Sequence, residues 1–270
     1  MTTSEIAARD ASASDARPGV SIVMPAFNEE ARLPRGLEDV IAFAATLPQD
    51  VELVVVDDGS SDRTPDIVRS AQDGALPANV AVRLEQHQRQ QGKGAAIRTG
   101  CLAARGEYVF FIDADLATPP EEITKLLQAL QDGAPIAIGS RIQPDGSDMR
   151  ATQPLQRRLV GRMFTTMRKL LRVLPDIDDT QCPMKGFRHD VAADVFPRQR
   201  LRGWIFDAEV LYIARMLGYS IVTRPVTWRH VDGSRLRVRP MQAFEVARDL
   251  IRLRFMHRRE RVRAVAASES

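Results

Sequence analysis

The sequence contains few cysteines and no long hydrophobic run. Cys101 and Cys182 are too few for a disulfide framework or a cysteine-rich metal site, so we expect a reducing environment. No apolar segment approaches the ~20 residues that a membrane-spanning helix needs. Residues 1–18 are small and polar without an apolar centre, which predicts a disordered segment rather than a signal peptide. These absences favour a globular, cytoplasmic protein.

The net charge of +3 is small, but the basic residues are concentrated in two segments. Residues 235–263 contain ten arginines and three acids, and residues 153–175 contain six basic residues and no acid. This asymmetry indicates an anionic partner, which is a membrane surface, a phosphate-bearing substrate or a nucleic acid. Few aromatic residues lie among the C-terminal arginines, and this disfavours nucleic acid because single strands bind by stacking on aromatic side chains.

In the first half of the chain, short apolar runs alternate with segments of helical spacing. The run Val51–Val56 is almost free of polar residues, as expected for a strand that is buried on both faces. The alternation predicts an α/β fold with a mainly parallel sheet flanked by helices. The predicted strands are 20–25, 51–56, 80–84, 108–112 and 136–141, and the predicted helices are 33–47, 64–71, 93–104 and 121–130.

The second half predicts helices and one edge strand. Residues 207–217 and 243–256 have helical spacing, whereas Ile221–Trp228 is expected to be a strand at a sheet edge because Pro225 cannot donate to a ladder. We therefore predict one domain at 19–240, followed by a basic helix and tail at 241–270.

Residues 155–174 predict a strongly amphipathic helix. Apolar residues occupy one half of a helical wheel, and Arg157, Arg158, Arg162, Arg168, Lys169 and Arg172 occupy the other. Such a helix either lies at a membrane interface, where basic residues contribute about 1 kcal/mol each, or packs on the core as an ordinary amphipathic helix.

Three predicted strands end in polar side chains. Asn28-Glu29 follows the first strand, Asp57-Asp58 the second, and Asp113 and Asp115 the central one. In a parallel sheet these ends share one edge, where a cation, a base and a ribose can bind. Asp113 and Asp115 point to the same side at spacing i, i+2, and suit Mg²⁺ or Mn²⁺ carrying phosphates. The alternative is that these acids only end a strand and begin a turn.

Gly92-Lys93-Gly94 opens a predicted helix. The segment lacks the Gly-x4-Gly-Lys-Ser/Thr frame of a P-loop. It can nevertheless place a lysine and backbone amides near a phosphate, or be only a flexible turn into the helix.

The order and spacing of these motifs resemble the inverting family 2 glycosyltransferases, which have the GT-A fold. The first-half motifs are Pro25-Ala26-Phe27-Asn28-Glu29, Val56-Asp57-Asp58-Gly59-Ser60-Ser61-Asp62, Gly92-Lys93-Gly94 and Asp113-Ala114-Asp115. In the second half, Gly139-Ser140-Arg141, Asp179-Thr180-Gln181-Cys182, Gly203-Trp204-Ile205-Phe206-Asp207-Ala208-Glu209 and His230-Val231-Asp232-Gly233-Ser234 resemble the dolichyl-phosphate β-glucosyltransferase group.

The resemblance implies roles for individual residues. A nucleotide pocket would be lined by Pro25, Phe27, Glu29, Val56 and Asp58, with Asp57 beside it. Asp113-Ala114-Asp115 matches the DXD motif, in which Asp113 and Asp115 hold the sugar nucleotide with Mg²⁺ or Mn²⁺. Lys93 matches a basic position near the donor, and Arg141 matches a phosphate-binding arginine.

Two departures from the family pattern stand out. Pro183 follows Cys182 where the group has glycine, and the N-terminal transmembrane anchor of the eukaryotic members is absent from this sequence. We therefore expect a cytoplasmic protein that associates peripherally with the inner face of the plasma membrane.

The resemblance implies transfer of glucose from UDP-glucose to polyprenyl phosphate with inversion. One alternative is transfer of mannose from GDP-mannose to the same acceptor. Another is a soluble hydroxyl acceptor, which needs a general base; Asp207 and Glu209 are the candidates, or else helix N-terminal acids favoured by the macrodipole. A non-catalytic nucleotide-binding membrane adaptor is the remaining alternative.

Overall fold

The structure is a computed structural model that describes residues 17–153, 155–229 and 240–257. The N-terminal residues 1–16, the motif His230–Ser234 and the basic tail after residue 257 lie outside these ranges. The predicted domain boundaries therefore stay predictions.

A seven-stranded sheet forms the centre of the described part of the chain, in the order β3-β2-β1-β4-β6-β5-β7. The strands are β1 (Val20–Ala26), β2 (Val51–Asp57), β3 (Val80–Gln86), β4 (Tyr108–Ile112), β5 (Ile136–Ser140), β6 (Met184–Arg188) and β7 (Ile221–Pro225). All neighbouring pairs are parallel except those of β6, which is antiparallel to β4 and β5. The predicted α/β fold and mainly parallel sheet are confirmed, and β7 lies at an edge as Pro225 predicted.

Strand β6 was not predicted, because Met184–Arg188 reads as a polar segment with Lys185 and Gly186 at its centre. The glycine is explained by packing across the sheet. A Cβ atom at Gly186 would lie 2.4 Å from the ring of Phe110 on β4, so only glycine fits against this ring.

Helices cover both faces of the sheet. The described α-helices are α1 (Leu33–Ala45), α2 (Thr64–Asp73), α3 (Lys93–Ala103), α4 (Ile123–Gln131), α5 (Leu155–Leu170), α6 (His189–Val195), α7 (Phe206–Met216) and α8 (Pro240–Met256). Buried residues of α1, α2 and α4 pack on one face, and those of α3, α6, α7 and α8 on the other. Successive residues of β4 alternate between the two cores, which explains why its sequence is apolar throughout.

Helix α5 is shorter than the predicted 155–174 and ends at Leu170. Arg168 was placed on the polar half of the wheel, but its side chain is fully buried and donates to the carbonyls of Val173, Leu174 and Ile177. The physical reason is that the chain turns back after the helix, with positive φ at Arg172 and Leu174. The carbonyl groups in this turn have no partner within the helix, and the guanidinium of Arg168 donates hydrogen bonds to them. None of the described helices is both long and apolar enough to span a bilayer.

Candidate active site

The carboxyl ends of β1, β2, β3 and β4 lie side by side and bring the predicted site residues to one edge of the sheet. The loop after β1 is tied to the loop after β2. The amide of Asn28 donates to Ser60 Oγ at 2.8 Å, and the amide of Ser61 donates to Asn28 Oδ1 at 2.8 Å. The amide of Glu29 donates to Thr64 Oγ1 at 2.7 Å. These hydrogen bonds therefore connect the two loops along one side of the site.

The residues predicted to line a nucleotide pocket differ in exposure. Pro25, Phe27 and Glu29 are partly exposed, whereas Val56, Asp57 and Asp58 are buried. Because Val56 is fully buried in the hydrophobic core, only its backbone can border a nucleotide. Asp57 accepts from the amide of Ser60 and from the side chain of Gln86, both at 3.1 Å. Glu29 forms a bidentate pair with Arg32.

Asp58 organises the turn that leads into α3. Its carboxylate accepts from the amides of Gln91 at 2.9 Å and Gly92 at 2.8 Å, and Oδ1 lies 2.7 Å from His87 Nδ1. The contacts of Asp58 thus shape the loop before Lys93, and its predicted contact with the nucleotide stays a prediction.

The two glycines around Lys93 allow α3 to start against the loop 199–202. Gly92 has a φ of 107°, and a Cβ atom there would lie 2.5 Å from the carbonyl oxygen of Arg202. A Cβ atom at Gly94 would lie 2.7 Å from the carbonyl oxygen of Leu201. Close packing against the loop 199–202 therefore requires glycine at both positions, and this packing fixes the start of α3 at Lys93.

Lys93 is paired with the first acid of the Asp113-Ala114-Asp115 segment. Its Nζ lies 2.6 Å from Asp113 Oδ1 and 5.6 Å from the centre of a Trp204 ring. Burial lowers the pKa of Lys93, but the charges of Asp113, Asp207 and Asp115 outweigh it and raise the pKa above its ordinary value. Lys93 is therefore cationic at neutral pH, as a phosphate-binding role requires.

Asp115 lies two residues beyond Asp113, and both side chains are partly exposed at the end of β4. The amide of Ala117 donates to Asp115 Oδ1 at 3.1 Å, and Ala114 between the acids is buried. Burial, and then the charge of Asp113, raise the pKa of Asp115. The charge of Asp113 therefore disfavours the ionised form of Asp115, and a divalent cation held by these acids would relieve this repulsion.

Asp113 and Asp115 fit a divalent cation that arrives with a phosphate group. In the described part of the chain, no three His, Cys, Asp or Glu side chains are grouped to hold a metal by themselves. Mg²⁺ commonly uses one or two carboxylates together with substrate phosphates and water, so two acids suffice when the substrate supplies the remaining ligands.

Arg141 follows β5 on the same edge, but β6 separates β5 from β4. Asp179 holds its guanidinium in a bidentate pair, with distances of 2.8 Å from Nε and 2.7 Å from Nη2, and also accepts from its amide at 2.9 Å. Burial alone would raise the pKa of Asp179, but Arg141 holds it well below the usual range. The sequence indicated no role for Asp179 beyond its place in the Asp-Thr-Gln-Cys motif.

Asp207 and Glu209, the candidate general bases, are both buried. Asp207 accepts a hydrogen bond from Lys185, a fully buried lysine that sequence reasoning missed and that also donates to the Cys182 carbonyl at 2.7 Å. Glu209 accepts from the amides of Arg200 and Leu201. The structure therefore gives Glu209 a role inside the protein rather than beside an acceptor.

The chain is similar to known proteins over most of its length. The model of the family described as glycosyl transferase family 2 matches residues 21–196. A dolichyl-phosphate beta-glucosyltransferase of Dictyostelium discoideum is 33% identical over 248 residues, covering 88% of this chain and 74% of the relative. The Drosophila melanogaster protein of the same description is 37% identical over 230 residues, covering 80% and 69%. The Homo sapiens one is 33% identical over 251 residues, covering 88% and 76%.

The solved structures that resemble this fold include glucosyl-3-phosphoglycerate synthase from Mycobacterium tuberculosis. Its complex with UDP has a TM-score of 0.64 at 20% identity, covering 95% of this chain and 84% of that chain. Its complex with Mn²⁺, UDP-glucose and phosphoglyceric acid has the same TM-score at 19% identity, covering 95% and 83%. The expected GT-A fold is thereby confirmed.

Proposed function

Because the chain belongs to glycosyl transferase family 2, we propose that it transfers glucose from UDP-glucose to a polyprenyl phosphate of the dolichyl type, with inversion at the anomeric carbon. The description of the relatives as dolichyl-phosphate beta-glucosyltransferases supports this sugar and this acceptor. The structural observation that carries the proposal is the Lys93–Asp113 pair at the end of β4, beside Asp115.

The proposed reaction is a direct displacement. An oxygen of the acceptor phosphate attacks the anomeric carbon of glucose, the bond from this carbon to the UDP oxygen breaks, and the electron pair leaves with UDP. Lys93 would stabilise the negative charge that develops on the departing diphosphate. Asp113 and Asp115 would hold Mg²⁺ or Mn²⁺, which when bound supplies further neutralisation of the same charge.

The acceptor phosphate is already anionic, so no proton has to be removed in this step. A hydroxyl acceptor would need a general base within hydrogen-bond reach. Glu209 is fully buried with its oxygens bonded to backbone amides, and Asp207 is bonded to Lys185. The lack of a free base among these two candidates favours the phosphate acceptor. Arg141, held in place by Asp179, is the residue that we assign to a phosphate group.

The lipid acceptor requires access to a membrane, and α5 and α8 offer a suitable surface. The two helices pack against each other. On α5, Leu155, Leu159 and Met163 are exposed at successive i, i+4 positions; on α8, Ile251 and Phe255 are exposed at the same spacing. We call this set the apolar surface of α5 and α8.

Exposed arginines, among them Arg162 and Arg252, lie on the same helices as the apolar surface. Apolar side chains beside basic ones are typical of proteins that lie on anionic membranes. We therefore propose that this surface contacts the anionic inner face of the membrane and brings the active site to the lipid phosphate.

A transfer assay tests the donor and the acceptor together. Radiolabelled UDP-glucose and GDP-mannose would each be incubated with Mg²⁺ and either polyprenyl phosphate or free polyprenol. We expect label in the organic phase only with UDP-glucose and polyprenyl phosphate. Label from GDP-mannose alone would show that the transferred sugar is mannose and not glucose. Label on polyprenol would show that the acceptor is a hydroxyl group and not a phosphate. Nucleotide binding without transfer to any acceptor would favour a non-catalytic adaptor.

A further inference from the structure

The first turn of α3, which carries Lys93, is bonded to the loop 199–202. The amide of Gly94 donates to the carbonyl of Arg202 at 2.8 Å. In the opposite direction, the side chain of Gln199 donates to the carbonyl of Gly94 at 2.8 Å and to that of Leu201 at 3.0 Å. Because Lys93 precedes Gly94, these bonds to the loop position the backbone from which the Lys93 side chain extends.

The carboxylate of Glu209 holds this loop in turn. Glu209 on α7 is fully buried and accepts from the amide of Arg200 at 3.0 Å and from the amide of Leu201 at 2.7 Å. A buried carboxylate needs all its hydrogen-bonding capacity satisfied, since an uncompensated charge is costly in the interior. Glu209 Oε1 completes its contacts with Nε2 of His257, at 2.8 Å.

His257 directly follows α8 and is itself buried at 1% exposure. Helix α8 is seated on the core by Leu250 and Leu253, both fully buried. The His257 ring therefore joins the end of α8 to the loop 199–202 through the carboxylate of Glu209. A second bond, from Arg200 Nη1 to the carbonyl of Met256 at 3.1 Å, makes the same connection.

We propose that His257 is a positioning residue for Lys93, acting through Glu209 and the loop 199–202. The described partner of His257 is Glu209, through which it fixes the loop against which Lys93 is set. The inference rests on the proposed function for the part that concerns turnover. The connection runs through the His257–Glu209 bond, so it links the residue after α8, and not the packing of the rest of this helix, to the group that would stabilise the leaving diphosphate.

The matched variants are His257→Gln and His257→Asn in the full-length chain. The Gln side chain can place its amide donor near the position of His257 Nε2, whereas the Asn side chain is one methylene too short to reach Glu209. Leu253→Ala is the control, because it loosens the seating of the same helix without touching Glu209.

The first readout is hydrogen exchange in the ligand-free protein, at the amides of Gly94, Arg200 and Leu201. We expect His257→Asn to speed exchange at these amides about tenfold, because a buried charged acceptor loses its partner. The second readout is turnover, for which we expect a roughly tenfold lower kcat with the acceptor KM within about twofold. His257→Gln should restore most of the wild-type exchange protection and most of the wild-type kcat. Leu253→Ala should lower the melting temperature without specifically changing exchange at these three amides or kcat.

Unchanged exchange at the three amides in His257→Asn would overturn the inference. Equal effects of Leu253→Ala on these amides and on kcat would also overturn it, because the loop would then respond to any loosening of the helix. The exchange measurement needs no substrate. It therefore decides the structural connection even if the wild-type protein fails the transfer assay, and that failure would count against the proposed function alone.

Discussion

Nζ of Lys93 lies 2.6 Å from Oδ1 of Asp113, so a lysine is paired with the carboxylate that we assign to a divalent cation. Both side chains keep partial exposure, 20% for Lys93 and 25% for Asp113. In the proposed reaction Asp113 would hold the divalent cation with Asp115, and Lys93 would stabilise the charge on the departing diphosphate. The two roles therefore fall on side chains that are already in contact.

Replacing Lys93 with Met should lower kcat for glucosyl transfer by about 100-fold or more, since one preorganised donor to a developing negative charge is worth that much. The measurement is steady-state transfer from UDP-glucose. Lys93→Met should also bind Mn²⁺ more tightly than wild type without nucleotide, because the competing ammonium is gone. Lys125→Met, at an exposed lysine on α4, is the matched control and should change neither. Near-normal kcat in Lys93→Met would remove the leaving-group role.

Replacing Asp115 with Ala should abolish metal-dependent turnover while the protein stays folded. The acid contributes a charge at the surface of the site and only one intramolecular bond is described for it, from the amide of Ala117. Thermal unfolding by circular dichroism should therefore remain cooperative. Asp145→Ala, in an exposed turn, serves as the control and should keep turnover and its Mg²⁺ dependence. Substantial turnover by Asp115→Ala in Mg²⁺ would remove the metal role of this residue.

Replacing Asp179 with Asn should destabilise the protein by about 3–5 kcal/mol at pH 7, because it leaves the buried Arg141 without its charged partner. The folded pKa of Asp179 is below the ordinary value, so its contribution is present above the ordinary aspartate pKa and is lost as pH falls through the folded value. The stability difference between wild type and Asp179→Asn, measured by urea unfolding, should therefore shrink towards acid pH. A difference that does not change with pH would contradict this assignment.

Reversing Arg158 and Arg162 to Glu should weaken binding to anionic liposomes at least tenfold, since each basic residue near an anionic surface contributes about 1 kcal/mol. The measurement is co-sedimentation with vesicles of anionic lipid, with neutral vesicles as reference. The control is reversal of Arg35 and Arg69, which are exposed arginines on α1 and α2. This variant changes the net charge of the protein by the same amount but away from α5 and α8. Equal loss of binding in the two pairs would show that net charge, and not this surface, directs binding.

Local patterns predicted much of the fold. The β-branched run at Val51–Val56 became β2, and the spacing of Asp113 and Asp115 placed both acids at the end of β4. These features depend on the residue itself and its near neighbours, which is what periodicity and turn residues report.

Features set by distant partners were not predictable in this way. Lys185 lies in a segment that reads as polar, yet it is fully buried, and Asp207, 22 positions away, accepts a hydrogen bond from it. The bond between His257 and Glu209 spans 48 positions, and although Glu209 ends the Gly203–Glu209 motif, no local pattern indicates that the two side chains meet. Such pairs depend on how helices and strands pack, and only the three-dimensional structure shows them.

The configuration of the product tests the central claim most directly. Wild-type protein would be incubated with UDP-glucose, Mg²⁺ and a short polyprenyl phosphate, and the anomeric proton of the lipid-linked sugar would be followed by NMR from the first turnovers. A glucosyl phosphate of β configuration, formed from the α-linked donor, is the predicted result, since a single displacement inverts the anomeric carbon. A product of α configuration, or UDP released without any glucose on the lipid phosphate, would contradict the account.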